Sequence, residues 1–156
     1  MKIFVDADSC PKPARDLVLR RSLKLGLQPI FAANHVIPGC EGAQMEVCSA
    51  DENSADDRIV ELSGKGDLVI TRDVPLAKRL VEKEVLVLDD RGRVFNINNI
   101  NEALSLRNFS VGLANDGLGI ERIANYGKKE LKNFADSLDR TLTAALRLQG
   151  TDSASV

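Results

Sequence analysis

Tryptophan is absent, and tyrosine and histidine occur once each, as Tyr126 and His35. Aromatics make up 4% of the chain, too few for a stacking platform for single-stranded bases. An excess of one charge is also missing: 21 Lys and Arg meet 23 Asp and Glu, for a formal net charge of -2. Any contact with nucleic acid must then rest on a local basic patch. No apolar run approaches the roughly 20 residues of a membrane span. Ile3-Phe4-Val5 is too short for a signal-peptide core. Cys10, Cys40 and Cys48 form no disulfide-like framework, and Cys40 and Cys48 lack zinc-ligand spacing, so a reducing cytoplasm is the expected home. A Cys-based phosphatase loop starting at Cys10 needs an arginine where Asp16 stands. No Gly-rich nucleotide fingerprint or Ser-His-Asp set is evident.

What is present is an alternation of strand and helix patterns. Strands are predicted over Lys2–Asp6, Gln28–Ala33, Gln44–Cys48, Asp67–Thr71 and Val85–Leu88. Helices are predicted over Pro11–Leu25, Ala55–Ser63 and Pro75–Glu84, with Gly26 and Gly64-Lys65-Gly66 as stops. Such alternation implies an α/β fold, a three-layer α/β/α sandwich around a central, mostly parallel sheet. Val94–Ile97 adds an edge strand, and Asn99–Leu106 a helix. Asn108 to Tyr126 reads as irregular, and Lys129–Leu148 as a long helix with Leu131, Phe134, Leu138, Leu142 and Leu146 on one face. Residues 1–150 are expected to be one domain, and 151–156 a small, polar, disordered tail.

Aspartates punctuate this pattern. Asp6 and Asp8 follow the first strand, Asp73 follows the fourth, and Asp56 opens a helix between them. In a parallel sheet the carboxyl ends of the strands form the ligand crevice. Carboxylates gathered there repel one another unless a cation joins them, and Mg²⁺ or Mn²⁺ suits hard oxygen ligands. Each acid also has a structural reading. Asp8 or Ser9 can cap the next helix. Asp57 fits a capping box opened by Ser54. Asp56 borders the buried face through Ile59 and Val60 but can also be a solvated first-turn acid. Asp67 lies at the opposite end of the strand from Asp73 and reads as part of the Gly66 turn. Asp6, directly after Ile3-Phe4-Val5, needs a partner or an ion.

Several stretches occur in a recognisable order. They are Val5-Asp6-Ala7-Asp8-Ser9-Cys10-Pro11, Ala32-Ala33-Asn34, Ala55-Asp56 with Ile59, and Gly66-Asp67-Leu68-Val69-Ile70-Thr71-Arg72-Asp73-Val74-Pro75-Leu76-Ala77. Arg91-Gly92 and Leu106-Arg107 follow. The chain thereby resembles the YaiI/YqxD family of bacterial proteins over roughly residues 1 to 148, most specifically in the first hundred. That family in turn resembles the PIN-like nucleases, whose strand-end acids hold Mg²⁺ or Mn²⁺. The resemblance implies a PIN-like domain with Asp6, Asp56 and Asp73 as metal ligands and Asp8 as the adjacent catalytic acid. A fourth acid is common in PIN nucleases. Asp89 is the only obvious substitute here, and Asp89-Asp90 is left out of the site.

The leading expectation is therefore a divalent-metal-dependent nuclease or phosphodiesterase acting on RNA or another nucleic acid. Lys12, Arg15, Arg72 and Lys78 are the basic residues nearest the rim, and Asn34 and Thr71 complete the expected substrate contacts. His35 follows Asn34 and reads as a solvated loop histidine. A second reading is a phosphatase of the haloacid dehalogenase type with Asp6 as nucleophile. A third is a catalytically inactive PIN-like binding protein.

Overall fold

The computed structural model describes residues 1–49, 51, 54–115 and 126–154. Among these residues six strands form one sheet in the order β3-β2-β1-β4-β5-β6. The strands are β1 (Ile3–Asp6), β2 (Ile30–Ala33), β3 (Gln44–Val47), β4 (Leu68–Ile70), β5 (Leu86–Leu88) and β6 (Val94–Phe95). All pairings are parallel except β5 with β6. The helices are α1 (Lys12–Lys24), α2 (Ser54–Leu62), α3 (Val74–Glu82), α4 (Ile100–Asn115) and α5 (Lys128–Ala154). The architecture is the expected α/β/α sandwich. Among the described residues no helix is long and apolar enough to cross a membrane.

Strand alternation sorts the side chains between two cores. Ile3 and Val5 of β1, with Phe31, Ile70 and Leu88, pack against Ala14 and Val18 of α1 and Phe134, Leu138 and Leu142 of α5. Phe4, with Ala32, Val69 and Val87, packs against Ile59 of α2, Leu76 and Leu80 of α3, and Ile100 and Ala103 of α4. Central parallel strands are covered on both faces, which is why they read as continuous apolar runs rather than alternating ones. Full burial of one such side chain contributes about 1.5–3 kcal/mol. Phe134 and Leu138, both 0% exposed, therefore anchor α5 firmly.

Beyond β5, three boundaries differ from the sequence reading by two residues or more. The helix expected to end at Leu106 continues as α4 to Asn115, through part of the stretch read as irregular. Asn and Gly lower helix propensity by about 1 kcal/mol or less each, and no proline interrupts the run, so the helix persists. Residues 116–125 lie outside the described residues. Similarly, α5 runs to Ala154, into the stretch read as a disordered tail, of which 155–156 lie outside the described residues. The edge strand is shorter than expected, ending at Phe95, and Ile97 is exposed.

Candidate acidic site

The strand order fixes where ligands can gather. From β1 the chain moves outward to β2 and β3, and then returns to β4 on the other side of β1. The crevice at such a reversal lies between the carboxyl ends of β1 and β4. Asp6 closes β1 there. It shares the parity of Phe4 and pairs in register with Ala32, so it faces the α2–α3 side. Thr71 follows β4 with the same parity as Val69 and donates its hydroxyl to Asp6 Oδ2 at 2.8 Å. Ser9 donates to the same oxygen at 3.0 Å. Thr71 Oγ1 also accepts the Asp73 N–H at 3.0 Å, so one hydroxyl ties two of the acids together.

Asp73 is the N-cap of α3, its carboxylate accepting the Leu76 N–H at 3.1 Å. Asp56, in the first turn of α2, comes to the same place because Ala55 and Ile59 bury the adjoining face of that helix. Burial pushes the Asp56 carboxyl up to about 7, with further contributions from the charges of Asp6 and Asp73 and a hydrogen bond with Asp73, opposed by Arg79. Asp6, only 5% exposed, is also raised, first by burial, although the Thr71 and Ser9 hydroxyls act the other way. The charges of Asp6 and Asp73 both reach Asp56, and that of Asp73 reaches Asp6. Among the described residues no three His, Cys, Asp or Glu side chains stand at ready-made metal-ligand spacing.

The other expected site residues separate into two groups. Asp8 stands past the turn that follows Asp6 and is engaged by other partners, although its charge still helps raise Asp6. Its carboxylate accepts the Asn34 N–H at 3.1 Å and lies 3.5 Å from His35 Nδ1. Lys12 pairs with Asp16 at 2.8 Å. Arg15 donates to the carbonyls of Cys10 and Ala7, pinning the turn after β1. Lys78 is half-buried in α3. Arg72 remains at the crevice, its guanidinium donating to Asp90. Asp57 accepts from Arg79 at 2.9 Å rather than closing a capping box. Cys10 is buried, and its thiol is pushed up to about 12 by burial and then by Asp90, which keeps it protonated and unreactive.

The sequence reading gave Ser9 only a capping role and left Asp90 out of the site. Ser9 bridges Asp6 and the Arg72 N–H, which donates to its hydroxyl at 3.3 Å. Asp90 is 2% exposed, and its carbonyl accepts the Tyr126 hydroxyl at 2.6 Å. Its signal was the same as that of Asp73, an acid just after a buried strand. Asp89, the substitute fourth acid, is used locally: its carboxylate accepts the Arg91 and Arg93 N–H groups in the β5–β6 turn.

The acidic centre gives a stability prediction. A carboxyl whose folded pKa is raised favours folding most where it is protonated, and opposes folding increasingly as pH climbs from the unfolded value to the folded one. For Asp56 that window runs from about 4 to about 7. Asp56→Asn is therefore expected to raise the melting temperature at pH 8 in EDTA, with little change near pH 4. Asp56 is half-buried, so solvent screening limits the gain to about 1–2 kcal/mol. Thermal unfolding of both proteins across that range checks it. A lower melting temperature for the variant at pH 8 means that the ionised carboxylate stabilises the fold.

The fold and the site define a class: an open, mostly parallel α/β/α protein with an acidic centre at the switch point of its sheet. Within that class the chain belongs to the family described as "Uncharacterized BCR, YaiI/YqxD family", whose model matches residues 4–144. A UPF0178 protein of Treponema denticola is 48% identical, covering 98% of this chain and 99% of the relative. UPF0178 proteins of Treponema pallidum and Myxococcus xanthus are 41% and 39% identical, over 95% and 96% of this chain and 85% and 99% of theirs. No solved structure matches.

Proposed function

We propose that this protein is a divalent-metal-dependent phosphodiesterase acting on nucleic acid, with RNA the first substrate to examine. The observation that carries the reading is the gathering of Asp6 and Asp73 close enough to Asp56 that their charges, after burial, help lift it to about 7. A dication would remove the repulsion between those charges if the three side chains closed around it, and hard carboxylate oxygens suit Mg²⁺ or Mn²⁺. Asp6, Asp56 and Asp73 would hold the ion. The ion supplies Lewis acidity, a more acidic water and neutralisation of phosphate charge. The chain's own contribution is to fix the ligands. Thr71 and Ser9 orient Asp6, the Thr71 hydroxyl also restrains the backbone at Asp73, and the α3 N-terminus favours negative charge at Asp73. The PIN-like resemblance of the motif order supports the same reading.

The dehalogenase-type reading has less support. Its second acid would be Asp8, which turns to Asn34 and His35, while both hydroxyls beside Asp6 share its Oδ2. The test is hydrolysis of mixed RNA and single-stranded DNA with Mn²⁺, Mg²⁺ or EDTA. Turnover with Mn²⁺ or Mg²⁺ that EDTA removes is expected. Turnover that persists in EDTA, or its absence with every ion, overturns the proposal.

A further inference from the structure

Beside Asp73 lies a cleft of about 240 Å³ lined by Ser9, Arg72, Asp73, Val74 and Arg107. This is smaller than the roughly 300–1,000 Å³ of sites for drug-sized ligands, and it suits a phosphate group. Arg72 enters the cleft already oriented. Its guanidinium donates to the buried carboxylate of Asp90, while the side chain is 53% exposed. A guanidinium carries five N–H donors, so one carboxylate contact leaves others for an anion.

Arg107 reaches the same cleft for a topological reason. β6 runs antiparallel to β5, so α4, which follows it, starts at the amino edge of the sheet and climbs toward the carboxyl edge. Ile100 and Ala103 are buried in the core shared with α3, and Arg107 lies one turn beyond Ala103 on that face. Arg107 is exposed, and its hydrogen-bond partner is the side chain of the adjoining Asn108 at 3.4 Å. Among the described residues no carboxylate pairs with it. Asp73 in the cleft wall repels an anion unless a cation sits at the acidic centre, which couples the two positions.

We propose that Arg72 and Arg107 bind a second phosphate of the substrate, next to the phosphate held at the acidic centre. The substrate is then a polynucleotide chain rather than a phosphomonoester. This inference rests on the phosphodiesterase reading and specifies its substrate class. Guanidinium groups match phosphate bidentately, and two of them converging on one small cleft give a defined position for a phosphate rather than a diffuse attraction.

The test is binding of a fluorescein-labelled hexaribonucleotide with Ca²⁺ replacing Mn²⁺ to slow turnover, followed by anisotropy across a series of salt concentrations. Arg107→Ala is the main variant, because Arg72→Ala strands the buried Asp90 carboxylate. Loss of one charge-assisted contact is expected to weaken binding about tenfold. The slope of log K against log salt should fall in magnitude by about 0.7, the value per phosphate contact on a single strand. Arg107→Lys should restore the slope more fully than the affinity. If the wild type binds and cleaves RNA while Arg107→Ala keeps both affinity and slope, the second-phosphate site is overturned and the phosphodiesterase reading stands. If the wild type neither binds nor cleaves RNA, both are overturned.

Discussion

Asp73→Asn is expected to lower Mn²⁺-dependent phosphodiester hydrolysis by at least about 100-fold, since even partners one step removed from a metal cost 10–100-fold when altered. The fold should survive the change. Asp73 caps α3 by accepting the Leu76 N–H, and asparagine caps as well as aspartate. The substitution thus separates the two uses of the side chain, keeping the acceptor and removing the charge. Asp67→Asn is the informative counterpart. Asp67 is 7% exposed at the opposite end of β4, where its carboxylate accepts the N–H groups of Lys2 and Gly64, both at 2.9 Å. An amide turns one acceptor into a donor facing an N–H, so that variant should melt earlier yet turn over normally below its melting temperature. Kinetics of both variants, with their melting curves, check this. Full activity in Asp73→Asn removes the metal-hydrolase reading. Equal loss in both variants assigns the effect to the fold.

Gly92→Ala should produce the largest loss of stability. Gly92 has φ +91° in the turn between β5 and β6. A Cβ there would stand 2.5 Å from the Asn133 carbonyl oxygen and 2.9 Å from Ser137 Oγ, so the turn lies directly against the backbone of α5. Ser137 also donates to the Gly92 carbonyl at 2.7 Å. The backbone conformation alone costs a non-glycine residue about 1–2 kcal/mol. Overpacking against a main chain that cannot rotate away adds about 1–3 kcal/mol. A combined loss of about 2–5 kcal/mol corresponds to roughly 5–15 °C in melting temperature for a chain of this size. Gly64→Ala is the control, because a Cβ there meets nothing within 4 Å and the Gly64 N–H remains available to Asp67. Calorimetry of the two variants measures the difference. A Gly92→Ala protein as stable as the wild type means that α5 sits farther from the turn. The effect extends to the site, since Asp90 in the same turn holds Arg72.

Local pattern was sufficient for most of the secondary structure. Short continuous apolar runs and period-3.6 burial are properties of adjacent residues, so β1, α1, α3 and the Phe134–Leu142 face of α5 were legible from the chain alone. The sites of Asp6, Asp56 and Asp73 at element ends were legible for the same reason. Helix ends were less so. Without a proline, Asn108 and Gly112 reduce the tendency to form α4 but do not end it, and the actual limit is set by what the helix packs against.

Convergence of side chains belongs to the tertiary structure. Asp6 and Thr71 are 65 residues apart, and they meet because β4 pairs with β1 rather than with β3. No local rule encodes that pairing. Asp6 and Asp8 are two residues apart, and they separate because the strand ends at Asp6 and the turn sends Asp8 to Asn34. The fates of the basic residues were decided in the same way: Lys12 and Arg15 are taken by near neighbours, Arg72 by Asp90, and Arg107 arrives from a helix whose direction follows from one antiparallel strand. The sequence by itself determined which elements form and which acids stand at their ends, because those depend on short-range periodicity and capping. Only the order and direction of the strands decided which of those acids share one electrostatic environment, because charges interact through distance in space and not through separation along the chain.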